Sequence, residues 1–111
     1  PFTAEWDTII LGDILEHMND RDFVRTIQSS LRALTPNGRL VLTLPEDGRL
    51  LQEQALQNEN PGEYLPGISR AHTQPRTQQQ IEALLSLGGV THVVHAPVDW
   101  GFAEGHGFLC F

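Results

Sequence analysis

The chain has no lysine. All seven of its basic residues are arginine, they do not cluster, and the net charge is −7. Nucleic-acid binding requires a concentrated basic patch, so no nucleic-acid partner is expected. No apolar run approaches the roughly 20 residues that span a bilayer, and no signal peptide is visible, so no membrane partner is expected either. Cysteine is almost absent. Cys110 alone cannot form an internal disulfide, which agrees with a reducing, cytoplasmic setting. No internal repeat is apparent. The remainder is an acidic chain of 111 residues, 40% hydrophobic, enough for one domain with one core.

The apolar residues are ordered along the chain. Thr8-Ile9-Ile10-Leu11 is β-branched and apolar without alternation, the pattern of a parallel strand buried on both faces. It runs into a small acidic stretch, Gly12-Asp13-Ile14-Leu15-Glu16-His17. Asn19 or Asp20 caps the next helix, and Asp22 lies where the helix dipole favours negative charge. Phe23, Val24, Ile27, Leu31 and Leu34 form one stripe at helical spacing, with Arg21, Arg25, Gln28 and Arg32 facing water. Pro36-Asn37-Gly38 stops the helix and turns the chain, and Arg39 to Leu44 is a second, nearly all-apolar strand. Strand, acidic loop, helix, turn and strand make a crossover unit of a parallel sheet. Ligands of such sheets bind at the carboxyl ends of the strands, where Gly12, Asp13, Glu16 and His17 are expected.

From Glu46 to Arg76 the sequence is polar and irregular, with a short helix expected over Leu50–Gln57. A connection this long in a compact domain is functional or disordered. Thr77 caps a further helix with Ile81, Leu84 and Leu85 inward and Gly88-Gly89 at its end. Val90 to Val94 and Phe108 to Phe111 read as strands, joined through residues 99–105 as an antiparallel hairpin.

Three stretches resemble one family. Asp7-Thr8-Ile9-Ile10-Leu11-Gly12-Asp13-Ile14-Leu15-Glu16-His17 is similar to the D-x-x-x-x-x-D-V-L-E-H of class I S-adenosylmethionine-dependent methyltransferases, in their small-molecule branch of the type 11/23-like kind. Leu34-Thr35-Pro36-Asn37-Gly38-Arg39-Leu40-Val41-Leu42-Thr43-Leu44-Pro45 resembles the L-K-P-G-G-x-L that follows it, with an apolar strand ending in proline. Thr77 to Val90 resembles the T-x-x-x-L-x-x-L-L-x-x-A-G-F helix before the sixth strand.

The resemblance implies an α/β fold, a partial Rossmann-like doubly wound sheet built from family strands 4 to 7, with parallel strands and an antiparallel final strand. It implies that residues 1–111 are the C-terminal portion of one methyltransferase domain, with 46–76 a long loop or insertion within it. The cofactor would be S-adenosylmethionine, held mainly by a glycine-rich loop after the first strand and an acid at the end of the second. Neither element is in this sequence. The only Gly-x-Gly, Gly105-His106-Gly107, has no helix after it. The isolated chain is therefore expected to be inactive.

In the family the corner at Leu11, Gly12 and Asp13 touches the methionine part of the cofactor, mostly through backbone atoms. Read without the family, Gly12 is the tight turn that a flexible backbone allows, and Asp7 is equally a polar residue at a strand edge. Glu16 and His17 would line the mouth on the substrate side, with Tyr64 and His72 from the long loop. His17 is the candidate general base, since histidine titrates near neutrality; a structural role for the Glu16–His17 pair competes with that reading. No metal site is expected. Asp13, Glu16 and His17 match no ligand spacing, and His92 and His95, three apart in a strand, point to opposite faces. Trp100 and Phe102 read as hairpin packing, and Cys110 as a small buried hydrophobe.

The expected parent function is methyl transfer to a small-molecule acceptor. The rivals are a non-catalytic interaction module that retains half of the fold, and another nucleotide-binding α/β enzyme, such as a nicotinamide-dependent one. The strand at 8–11 would lie at the centre of the family's sheet. Without its neighbour it is an exposed edge, through which the chain is expected to self-associate.

Overall fold

The computed structural model describes residues 5–45, 51, 55–56, 58–59, 74–99 and 104–111. Strand β1 (Trp6–Gly12) leads into a 3-10 turn (Leu15–His17) and helix α1 (Asp20–Ala33). Strand β2 (Leu34–Pro45), helix α2 (Gln78–Leu87) and strands β3 (Val93–Asp99) and β4 (Glu104–Cys110) follow. The four strands form one sheet in the order β1-β2-β4-β3. β1 and β2 are parallel, and both pairings of β4 are antiparallel. This is the expected α/β architecture of a partial Rossmann-like sheet, parallel first and antiparallel at its end.

The helices start where their caps predict. The side chain of Asn19 accepts from the Asp22 amide at 2.8 Å. Thr77 and Gln80 cap each other reciprocally, each side chain accepting from the other's backbone amide. At the end of α2 the Val90 amide donates to Leu85 and the Gly89 amide to Ser86, while Gly89 takes a φ of 108°. That is a Schellman ending, and it accounts for a shift in the next strand. Val90, expected to open a strand, is instead the buried residue that closes the helix, and β3 begins at Val93. β4 likewise begins at Glu104 rather than Phe108, because it pairs with β3 from Asp99 onward. Leu34 ends α1 as its C-cap and opens β2. Of the helix expected at Leu50–Gln57, residues 51, 55 and 56 have helical backbone, as do 58 and 59. Trp100 and Phe102 lie outside the described residues.

The register sorts side chains into two faces. Ile9, Leu40, Cys110 and Val93 form one row across the sheet, and Leu11, Leu42, Phe108 and His95 form the next. Against these rows α1 packs Phe23 and Ile27, and α2 packs Ile81, Leu84 and Leu85. The opposite face carries Ile10, Val41, Leu109 and Val94 in one row, with Ile10 68% and Val94 57% exposed. The expectation that β1 is buried on both faces is thus corrected. Its sequence is apolar on both sides, yet helices cover only one side among the described residues. Cys110 is fully buried, and burial pushes its thiol up to about 11. It behaves as the expected small hydrophobe. Among the described residues no helix is long and apolar enough to cross a membrane.

Candidate functional site

The carboxyl ends of β1 and β2 meet at one corner. Gly12 pairs with Thr43 as the last residue of β1. Asp13 follows in left-handed backbone, φ 51°, the only non-glycine residue with positive φ among those described. Aspartate tolerates this conformation better than most residues but still at a cost, so something must hold it. Thr43 does. The Asp13 amide donates to the Thr43 carbonyl at 3.0 Å and lies 3.2 Å from its hydroxyl, which in turn donates to the Asp13 carboxylate at 3.1 Å. The expected turn is therefore at Asp13, not at Gly12. A Cβ on Gly12 would make only ordinary contact, 3.7 Å from the Thr43 hydroxyl. Neither backbone angle nor crowding requires glycine there.

The acidic stretch then dips into the core. Leu15 is fully buried in the 3-10 turn, and Glu16 beside it is also buried. His17 turns outward, with Nε2 3.3 Å from Glu16 Oε1 and its side chain 39% exposed. Leu11 points its side chain into the core, so only its backbone is available to a ligand. Asp7, at the irregularity between Trp6 and Thr8, accepts from the Thr35 hydroxyl at 2.9 Å and ties β1 to the start of β2. The structure thus brings Gly12, Asp13, Glu16 and His17 to one end of the sheet. Tyr64 and His72 lie outside the described residues.

Two contributors escaped the sequence reading. Thr43 is a lone hydroxyl in an apolar strand, and that isolation was the available signal. Arg76 is almost wholly buried, and nothing in Pro75-Arg76-Thr77 announces it. His92 and His95 do not share a strand as expected, because β3 begins at Val93 and leaves His92 before it. His95 meets His106 across the hairpin, Nε2 to Nδ1 at 2.8 Å. Among the described residues no cluster of three or more metal-binding side chains occurs. Gly105 and Gly107 lie within β4, where a Cβ would come 2.6 Å from the Leu44 carbonyl and 2.9 Å from Val98. They serve strand packing, not a cofactor loop.

No family description and no curated protein matches the sequence. Solved structures do match in three dimensions. A SAM-dependent methyltransferase from Leishmania major superposes with a TM-score of 0.71 at 17% identity, covering 98% of this chain and 39% of that one. PigF, solved with SAH, superposes with a TM-score of 0.70 at 13% identity, covering 99% of this chain and 31% of that one. The fold is that of S-adenosylmethionine-dependent methyltransferases. LepI, solved in complex with SAM, shares it, with a TM-score of 0.67 at 14% identity and 97% of this chain covered. This chain spans well under half the length of each, 27% in the case of LepI.

Proposed function

We propose that this chain is the back portion of a domain that transfers a methyl group from S-adenosylmethionine to a small-molecule acceptor, and that alone it is inactive. The observation that carries the reading is the corner itself. Gly12 stands at the carboxyl end of a parallel strand where the fold does not demand a glycine, beside an Asp13 held in costly backbone by Thr43. A site that spends strain on an exposed turn invites a functional explanation, and an uncrowded glycine leaves room for a ligand against the backbone.

In this reading Leu11, Gly12 and Asp13 offer backbone atoms to the methionine part of the cofactor. The bound cofactor supplies a sulfonium methyl with a good leaving group, so the protein's task is orientation and exclusion of water. His17, with Nε2 turned to Glu16, presents Nδ1 to take a proton from the acceptor. The segment 46–76 leaves from Pro45 at the carboxyl end of β2, which supports an acceptor-side role for it, with Tyr64 and His72 as candidates. The glycine-rich loop and the ribose-binding acid would come from a preceding segment. The single buried thiol supports a cytoplasmic location.

Calorimetry with SAH tests this. The 111-residue chain should show no micromolar binding. A longer polypeptide with a strand and Gly-x-Gly about 60 residues upstream should bind, and Gly12→Ala in it should weaken binding about tenfold or more without lowering stability. Tight binding by the short chain, or no effect of Gly12→Ala, would remove the basis for the reading. The open apolar row of the sheet favours a second reading, a non-catalytic interaction module. In that case the longer polypeptide would bind no SAH.

A further inference from the structure

Arg76 is buried and makes four hydrogen bonds, and it lies 56 residues along the chain from the aspartate it meets. Its Nε and Nη2 both donate to Asp20 Oδ1, at 3.1 and 2.9 Å. Nη2 also donates to the Met18 carbonyl at 2.6 Å, and Nη1 to the Leu15 carbonyl at 3.2 Å. The guanidinium stands 5.0 Å from the centre of the Phe23 ring. A second link comes two residues earlier, where the Gln74 amide donates to the Glu16 carbonyl.

Burying a guanidinium is costly unless its donors are used, and here they are spent on one object. Leu15 and Met18 bracket the 3-10 turn that carries Glu16 and His17, and Asp20 opens α1. A turn this short has little hydrogen bonding of its own. Its two internal bonds run from the His17 amide to Ile14 and from the Met18 amide to Leu15.

We propose that Arg76 is the positioning residue of the corner: it fixes the Leu15–His17 turn to the head of α1 and so sets where Glu16 and His17 stand. The role assigned to that pair rests on the methyl-transfer reading; the clamp does not. Lysine cannot replace it, because one ammonium lacks the planar spread of donors that reaches two carbonyls and a carboxylate together.

Hydrogen exchange read by mass spectrometry on the full chain tests the clamp without cofactor. In Arg76→Lys, a peptide over residues 14–19 should exchange at least about tenfold faster, while peptides over 23–31 and 40–45 stay within about twofold. Asp20→Asn, which keeps size and an acceptor oxygen, should give the same pattern more weakly. Uniform acceleration across all peptides would make Arg76 a general stabiliser and overturn the proposal, as would no change at 14–19. If Arg76→Lys does not fold, Asp20→Asn decides alone by the same criterion. Local loosening in a chain whose longer form binds no SAH would leave the clamp standing and sink the methyl-transfer reading.

Discussion

The two faces of the sheet are built from similar residues and differ in what covers them. On one face Leu40, Leu42 and Leu44 of β2 alternate into the core beneath Phe23, Ile27, Ile81 and Leu85. On the other, Ile10, Val41, Leu109 and Val94 cross all four strands in a row and meet no helix among the described residues. A strand's composition therefore states how many faces can be buried, not how many are. Both faces of a parallel strand are usually covered, and an open apolar row is a surface that another chain or segment can cover.

The largest expected difference between the faces comes from truncating one side chain on each. Phe108→Ala, at a position 1% exposed, should cost about 3–5 kcal/mol in urea unfolding, from lost transfer free energy and the cavity left behind. Ile10→Thr should stay within about 0.5 kcal/mol, as for other exposed substitutions. Comparable losses would show that the open face is covered.

Two glycines sharpen the same contrast at smaller scale. A Cβ on Gly88 would stand 2.5 Å from Ile27 Cγ2, where α2 meets α1 beneath the covered face. Its φ is an ordinary −75°, so crowding alone is at issue. Gly88→Ala should cost about 1–3 kcal/mol by overpacking, whereas Gly12→Ala, at an uncrowded position, should leave the melting temperature nearly unchanged. Reversed effects would undo the reading of Gly12 as a ligand-side residue.

The covered face was legible in the sequence and the open face was not. Helical spacing picked out Phe23, Ile27, Ile81, Leu84 and Leu85 because burying one stripe is a local demand that repeats every turn. Thr77 and Asn19 were legible as caps for the same local reason. The limits of β3 and β4 were missed because they depend on a Schellman ending and on cross-hairpin pairing, one subtle and the other non-local. The corner was legible as a cluster, Gly12 to His17, but not in its mechanics. The left-handed residue is Asp13, its lock is Thr43, 30 residues away, and the turn's clamp is Arg76, 61 residues from Leu15. Such long-range hydrogen bonds leave no periodicity in a sequence.

β1 is hydrogen-bonded to β2 alone among the described residues, so the open row ends at a free edge. Sedimentation over a range of concentrations should show the chain associating as it is concentrated. Ile10→Lys, which places a charge on that edge and on the open face together, should shift the onset to higher concentration. An unchanged profile would move the contact elsewhere; a compact monomer at high concentration would mean that neither the edge nor the row needs a partner.

The smallest expected effect lies at the margin of the covered face. His95 sits in the row of Leu42 and Phe108, and His106 in the row of Leu44. The 2.8 Å contact between His95 Nε2 and His106 Nδ1 needs one donor and one acceptor, so it cannot survive protonation of both rings. His95 is held below the ordinary histidine value, first by burial and then by the charge of His106, against the partial opposition of Glu82 on α2. A lowered folded-state value means that the folded chain resists a proton the unfolded chain accepts. The stability His95 contributes is therefore complete above the unfolded value of about 6.5 and is lost as pH falls through it toward the folded value. Unfolding free energy should decline as pH falls below about 6.5, and His95→Gln, which keeps a hydrogen-bonding group facing His106, should flatten that decline. Ile10→Thr on the open face should leave its slope alone. A slope unchanged by His95→Gln would assign the decline to other groups and leave the histidine pair a packing feature only.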